Sequence, residues 1–170
     1  MVIDGHVHLV LKREGTTCTD EAIGAFCREM DRSGIDRACI MQHTVLAGKV
    51  VRYANEAEVR DRAEIMADIG SRYRDRIYTM LYMNPNHRPG FVRELCREYF
   101  AKGRIDGAKI ACEMSPSDER FEPLARLLEE HAVPLLIHTF LKSTSFYPFE
   151  ALPSEVAALA RRHPHLRIVM

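Results

Sequence analysis

The chain has 170 residues, with 24 Lys+Arg balanced by 24 Asp+Glu and a hydrophobic share of 46%. Those values exclude a disordered chain, a collagen-like repeat and a disulfide scaffold. Balanced charge gives no electrostatic footprint for nucleic acid or an anionic membrane surface. The length suits one domain, residues 1–170, with a sizeable core. It is short of a closed eight-unit (β/α) barrel, which typically needs ~250 residues. No apolar stretch approaches the ~20 residues of a membrane span, and strand-like Val2-Ile3 begins at once with no signal peptide before it. Five cysteines, odd in number and without CxxC spacing, read as reduced thiols of a cytoplasmic protein.

In chain order, the first strand candidate runs from Val2–Asp4 into His8. Ile23, Phe26, Cys27 and Met30 then fall at helical spacing, capped by Thr19 or Asp20 and closed by Gly34. Ala38–Gln42 is the second strand. Asn55 with Glu58 resembles a capping box, opening a helix whose buried stripe is Val59, Ala63, Met66 and Gly70. Ile77–Met83 follows as a strand. Pro89 then leads into a stripe of Phe91, Leu95, Cys96 and Tyr99. Ile105–Ala111 is the fourth strand, and Leu124, Leu127 and Leu128 mark a helix starting near Pro123. Val133–His138 is the fifth strand. Val156, Leu159 and Ala160 mark a helix after Pro153-Ser154, and Leu166–Met170 is a sixth strand.

The strand candidates are near-continuous apolar runs, the signature of parallel strands covered on both faces. The alternating order predicts an α/β fold with right-handed crossovers. Successive strands begin about 33 residues apart, close to the ~31 per unit of a (β/α)8 barrel. A doubly wound open sheet has similar spacing, so the period alone does not choose between them.

Asp4-Gly5-His6-Val7-His8 leaves the first strand. On a regular strand, residues 4, 6 and 8 point to one side. Two imidazoles there can grip one cation, though a hydrogen-bonded HxH without metal fits the same motif. His138 ends a very apolar strand at the same C-terminal rim, where barrel active sites sit. Together, His6, His8 and His138 favour a metal site with an open position. His163-Pro164-His165 has the same spacing but precedes a strand, so it reads as a turn on the opposite face. His131 reads the same way, and His87 as a loop residue with no visible partner. His43 ends the second strand on the catalytic side, where a substrate contact and a solvent-facing loop are both open readings. Lys109, inside the fourth strand, can pair with a carboxylate, contact substrate, bridge two metals once carboxylated, or snorkel to a strand end.

Ile3-Asp4-Gly5-His6-Val7-His8-Leu9 resembles the first-strand signature of the amidohydrolase superfamily, in particular its branch of metal-dependent hydrolases and decarboxylases. Ala54-Asn55, Tyr73, Asp75-Arg76-Ile77 and Asn84-Pro85 are similar to that branch's second helix and third strand. Gly107 to Ile110 resembles its fourth strand, and Phe121 to Leu124 through Pro134 to His138-Thr139 its fourth helix and fifth strand. Cys112 and Phe140 depart from a common His and Gly. The resemblance implies a distorted (β/α)8 TIM-type barrel, incomplete here as five βα units plus a sixth strand. It implies one or two divalent ions, expected to be zinc, held by His6, His8 and His138. A further His and a proton-handling Asp are expected beyond Met170. The implied activity is metal-dependent hydrolysis of a small organic substrate. Non-oxidative decarboxylation of a small aromatic acid and an inert fragment or binding module are the alternatives. The expected partner is a small molecule, without nucleic acid or membrane, and a homo-oligomer is compatible with the edges that an incomplete barrel exposes.

Overall fold

A computed structural model describes residues 1–9, 20–41, 45–47, 50–111, 113–139 and 150–170 of the chain. The elements are β1 (Ile3–His8), α1 (Asp20–Arg32), β2 (Arg37–Met41), β3 (Val45–Ala47), β4 (Val50–Arg52) and α2 (Glu56–Arg72). They continue as β5 (Ile77–Tyr82), α3 (Pro89–Leu95), β6 (Gly107–Ile110), α4 (Glu122–Glu130), β7 (Leu135–Ile137), α5 (Pro153–Arg162) and β8 (Ile168–Val169). A π-turn over Cys96–Phe100 extends α3, and a 3-10 turn over Glu119–Phe121 precedes α4.

Six strands form one sheet in the order β1-β2-β5-β6-β7-β8, and every neighbouring pair is parallel. The order follows the chain without reversal. A doubly wound sheet would turn back at a switch point. Right-handed crossovers between successive parallel neighbours put all the helices on one side, and the sheet curls into a half-barrel. Sheet order thus supplies the choice that spacing could not make. β3 and β4 pair with each other as a separate antiparallel ribbon in the β2–α2 connection.

Two kinds of apolar row fill the faces. Ala38, Ile77, Leu81, Ala108 and Leu135 lie toward the helices, in one core with Ile23, Val59, Met66, Leu95, Leu124 and Leu159. Met41, Met80 and Leu136, with Cys39 against them, form a second cluster on the concave face. Register aligns His8 with Met41, Met41 with Met80, and Met80 with Gly107. The next row is Tyr82, Lys109 and Leu136.

Local chemistry explains the helix limits. At α2, Glu58 N–H donates to the Asn55 side chain at 3.0 Å, and Asn55 N–H donates to the Glu58 carboxylate at 2.8 Å. That is the expected capping box. The stripe Val59, Ala63, Met66 and Gly70 is buried. Gly34, at φ 68°, ends α1 in the left-handed region where glycine is unstrained. α4 ends in the same way on Ala132, at φ 52°.

Several expectations change. The strands are shorter than their apolar runs: Ile105 lies outside β6, and Asp106 instead caps β5, accepting from Thr79 N–H at 2.8 Å. Ala160 is exposed, because the buried face of α5 is carried by Val156 and Leu159. Cys27, Cys39 and Cys96 are free thiols, and burial pushes Cys96 up to about 12. Cys18, Cys112 and Phe140 lie outside the described residues. Among the described residues no helix is long and apolar enough to cross a membrane.

Candidate metal centre

Because the six strands are parallel, their C-terminal ends share one rim, and β1 delivers His6 and His8 to it. The strand is not regular. Asp4 pairs with Ala38 and Val7 with Ile40, so three steps on β1 oppose two on β2. This β-bulge falls at Gly5–His6, and it reverses the alternation between Asp4 and His8. Asp4 therefore stands on the helix-side row with Ala38, while His8 stands on the concave row with Met41. The expectation that residues 4, 6 and 8 share one side is corrected accordingly. Instead of facing the rim with the two histidines, the Asp4 carboxylate accepts from His6 N–H at 3.1 Å and braces the bulge.

His6 and His8 converge. Their Nε2 atoms are 2.9 Å apart, with ring centroids separated by 4.8 Å at an interplanar angle of 60°. Two nitrogens this close cannot both carry a proton on Nε2, so at least one presents a lone pair, the form that a metal takes. Two nitrogen ligands at 2.0–2.1 Å would stand ~2.9 Å apart at a right angle and ~3.3 Å apart at a tetrahedral angle. The pair therefore fits two adjacent positions around one divalent ion.

His138 follows β7 directly, and its N–H donates to Ile110 O at 3.0 Å, extending the parallel ladder. It is two residues beyond Leu136 and so continues the concave row at the same rim. Its Nε2 lies 3.5 Å from Oε1 of Glu150, whose side chain is 5% exposed. Among the described residues no three His, Cys, Asp or Glu side chains are gathered closely enough to hold a metal ion. The structure brings His6 and His8 together and places His138 on their rim, four strands along the sheet. His43 lies outside the described residues.

Lys109 is 3% exposed on β6, between Tyr82 and Leu136 in register. At that burial its head does not snorkel to solvent. Close by in sequence is an acid that sequence reasoning passed over. Glu113 is 3% exposed, and its carboxylate accepts from Tyr82 O–H and, at 2.8 Å, from Ala111 N–H. Asn86 donates to the Glu113 carbonyl at 2.9 Å. Glu113 thus ties the segment after β5 to the segment after β6 at the rim. Glu150 was also missed; its only sequence signal is its place between the fifth strand and the following helix.

The opposite rim differs. His163 ends α5 and is 3% exposed, with Nδ1 at 3.0 Å from Glu129 and Nε2 at 3.1 Å from Glu122. Burial opposes its charge, but the hydrogen bonds to Glu129 and Glu122 outweigh burial and raise its pKa. Both nitrogens face carboxylates, so this second HxH is a structural clamp. His87 does have partners: its Nε2 is 2.9 Å from Ala54 O, and its ring stands edge-on to Phe91.

A curled parallel sheet in chain order, with a converging His pair at its C-terminal rim, is the architecture of part of a (β/α) barrel. Among solved structures, the chain is similar to 5-carboxyvanillate decarboxylase from Sphingomonas paucimobilis. The TM-score is 0.71 at 15% identity, covering 98% of this chain and 66% of that one. It is similar to 5-carboxyvanillate decarboxylase from Novosphingobium aromaticivorans, solved with bound manganese, at TM-score 0.69 and 16% identity, covering 99% and 64%. It is also similar to dihydroorotase from Campylobacter jejuni, at TM-score 0.55 and 19% identity, covering 99% and 46%. These neighbours are members of the amidohydrolase superfamily, and at such identities the likeness defines the fold. The chain spans just under two thirds of the first of them. No family model matches the chain, and no curated protein matches it.

Proposed function

We propose that the chain carries part of the active site of a divalent-metal-dependent enzyme of the amidohydrolase type, acting on a small organic substrate. The observation that supports this most directly is the 2.9 Å approach of the His6 and His8 Nε2 atoms at the C-terminal rim. His6, His8 and His138 are the proposed ligands. Imidazole donors suit zinc, whereas two structural neighbours were solved with manganese. When bound, such an ion supplies Lewis acidity, polarising a substrate oxygen and making water acidic near neutral pH.

The first reading of the reaction is hydrolysis at a carbonyl or related bond. In that reading β1 holds two ligands on one short rigid element, so little ordering remains when a cation arrives. Lys109 faces the concave side and is proposed to contact substrate or bridge metals from there. Glu113 and Tyr82 hold the adjoining segments in place. Non-oxidative decarboxylation of a small aromatic acid is the second reading. It is supported by the fold likeness to the two 5-carboxyvanillate decarboxylases.

Metal analysis of the purified chain, with manganese and zinc titrations, tests the proposal. Near-stoichiometric binding that disappears in the doubly substituted His6→Ala/His8→Ala protein is expected. Absence of binding in the unsubstituted chain, or binding indifferent to both histidines, would overturn it. Monitoring CO₂ release against hydrolysis over a panel of carboxylic acids and amides then separates the two reactions.

A further inference from the structure

We infer that Glu150 is the positioning residue for His138, holding the ring with its proton on Nε2 so that Nδ1 is the nitrogen offered to a divalent cation. The assignment rests on the reading of His138 as a metal ligand and adds the group that sets its tautomer. Three observations carry it. The first is proximity: His138 Nε2 lies 3.5 Å from Glu150 Oε1. That separation exceeds an ordinary N–H···O hydrogen bond, so the carboxylate acts on the ring through its field.

The second observation is burial. The Glu150 side chain is 5% exposed and that of His138 31%. A carboxylate so far removed from water is costly unless polar hydrogens face it. An ionised carboxylate has only acceptor atoms. A neutral imidazole lowers its energy beside one by turning an N–H toward it, and raises it by turning a lone pair. With the proton on Nε2, the lone pair of the neutral ring sits on Nδ1. A carboxylate on the far nitrogen is the usual device that fixes a ligating imidazole and raises its basicity.

The third is anchoring. Thr139 and Ala151 form a parallel bridge, which fixes the chain beside His138 against the chain beside Glu150. One residue further, Leu152 N–H donates to the Glu155 carboxylate at 2.8 Å as α5 begins. The chain is thereby fixed at both of the residues that follow Glu150. His163 provides the internal contrast, because a carboxylate stands at each of its ring nitrogens. At His138 the Glu150 carboxylate stands on the Nε2 side.

The test uses the full 170-residue chain, labelled with ¹⁵N and freed of metal, at a pH where imidazole is neutral. Long-range ¹H–¹⁵N correlation spectra, assigned with His138→Ala, should show His138 as the Nε2–H tautomer. Glu150→Ala should shift it toward a mixture of tautomers, and the isosteric Glu150→Gln, which keeps an acceptor oxygen, should retain more of the Nε2–H form. In Mn²⁺ titrations followed by electron paramagnetic resonance, Glu150→Ala should weaken binding ~10–100-fold, with Glu150→Gln in between. An Nδ1–H tautomer in the unsubstituted chain would overturn the assignment. So would a tautomer unchanged in both Glu150 variants. Mn²⁺ binding indifferent to His138→Ala would instead sink the metal reading, and the metal-free spectra would still decide what Glu150 does.

Discussion

Gly107 opens β6 two residues before Lys109, on the concave row with Met80. A Cβ placed there would lie 2.5 Å from Met80 Sδ, 2.6 Å from Met80 Cε and 3.2 Å from Pro134 O. Non-bonded carbon atoms are at their optimum ~3.5–4.0 Å apart, so the overlap with Met80 is on the order of 1 Å. Methionine is flexible and can yield part of that, but Met80 is packed with Met41 and Leu136, and the Pro134 carbonyl is backbone. Gly107→Ala is therefore expected to cost about 1–3 kcal/mol as overpacking. For a chain of this length that lowers Tm by roughly 2–12 °C. Met80→Ala should cost about 2–5 kcal/mol on its own by opening a cavity. In the double variant the new methyl enters the vacated space, so the combined loss should fall short of the sum by about 1 kcal/mol or more. Thermal and urea unfolding of the four proteins measures this. Additivity within about 0.5 kcal/mol would refute the steric reasoning.

The His163 clamp has a definite pH signature. Its pKa is raised in the folded chain, so its contribution is complete below the unfolded histidine value of about 6.5. That contribution is lost as pH rises through the folded value. Hydrogen bonds from His163 lower the pKa of Glu122 and Glu129, so their share is present above the unfolded carboxylate value and lost as pH falls through the folded ones. The Tm advantage of the native chain over His163→Gln should peak in mildly acidic solution and shrink on both sides; a flat profile from acid to alkaline pH would contradict it. Asn55→Ala removes half of the α2 capping box and should cost about 1 kcal/mol in urea unfolding. Ala132→Gly relieves a left-handed alanine and should raise stability by about 0.5–1 kcal/mol, so a loss there would show the conformation to be unstrained.

Much of this architecture was legible because burial leaves a clear trace in sequence. Apolar runs at Ile77–Tyr82 and Leu135–Ile137 marked strands covered on both faces, and Asn55 with Glu58 marked a helix start. What sequence could not show was how the strands sit beside one another, since spacing is shared by open and closed sheets. The β3–β4 ribbon escaped notice although Gly48-Lys49 lies between Val45–Ala47 and Val50–Arg52, a spacing that suits a hairpin. The clamp on His163 was invisible because Glu129 is 34 residues away and Glu122 belongs to the same distant helix. Asp4 was assigned to the wrong side because alternation cannot register an extra residue. Only Gly5, a residue that commonly marks a bulge, hinted at it.

That extra residue makes the first strand unusually forgiving of a change in chain length. Shortening a strand by one residue normally throws every following side chain to the other face. Here the ladder already holds one residue too many between Asp4 and Val7. Deleting Gly5 would bring the count on β1 into step with β2: Asp4 beside Ala38, His6 beside Cys39, Val7 beside Ile40 and His8 beside Met41. Both imidazoles would keep the concave side, and the brace from Asp4 to the His6 amide would be the feature lost. The reading frame of the histidine pair is set from its far end, by Val7 and His8 against β2, and a change of one residue at the bulge leaves that frame in place.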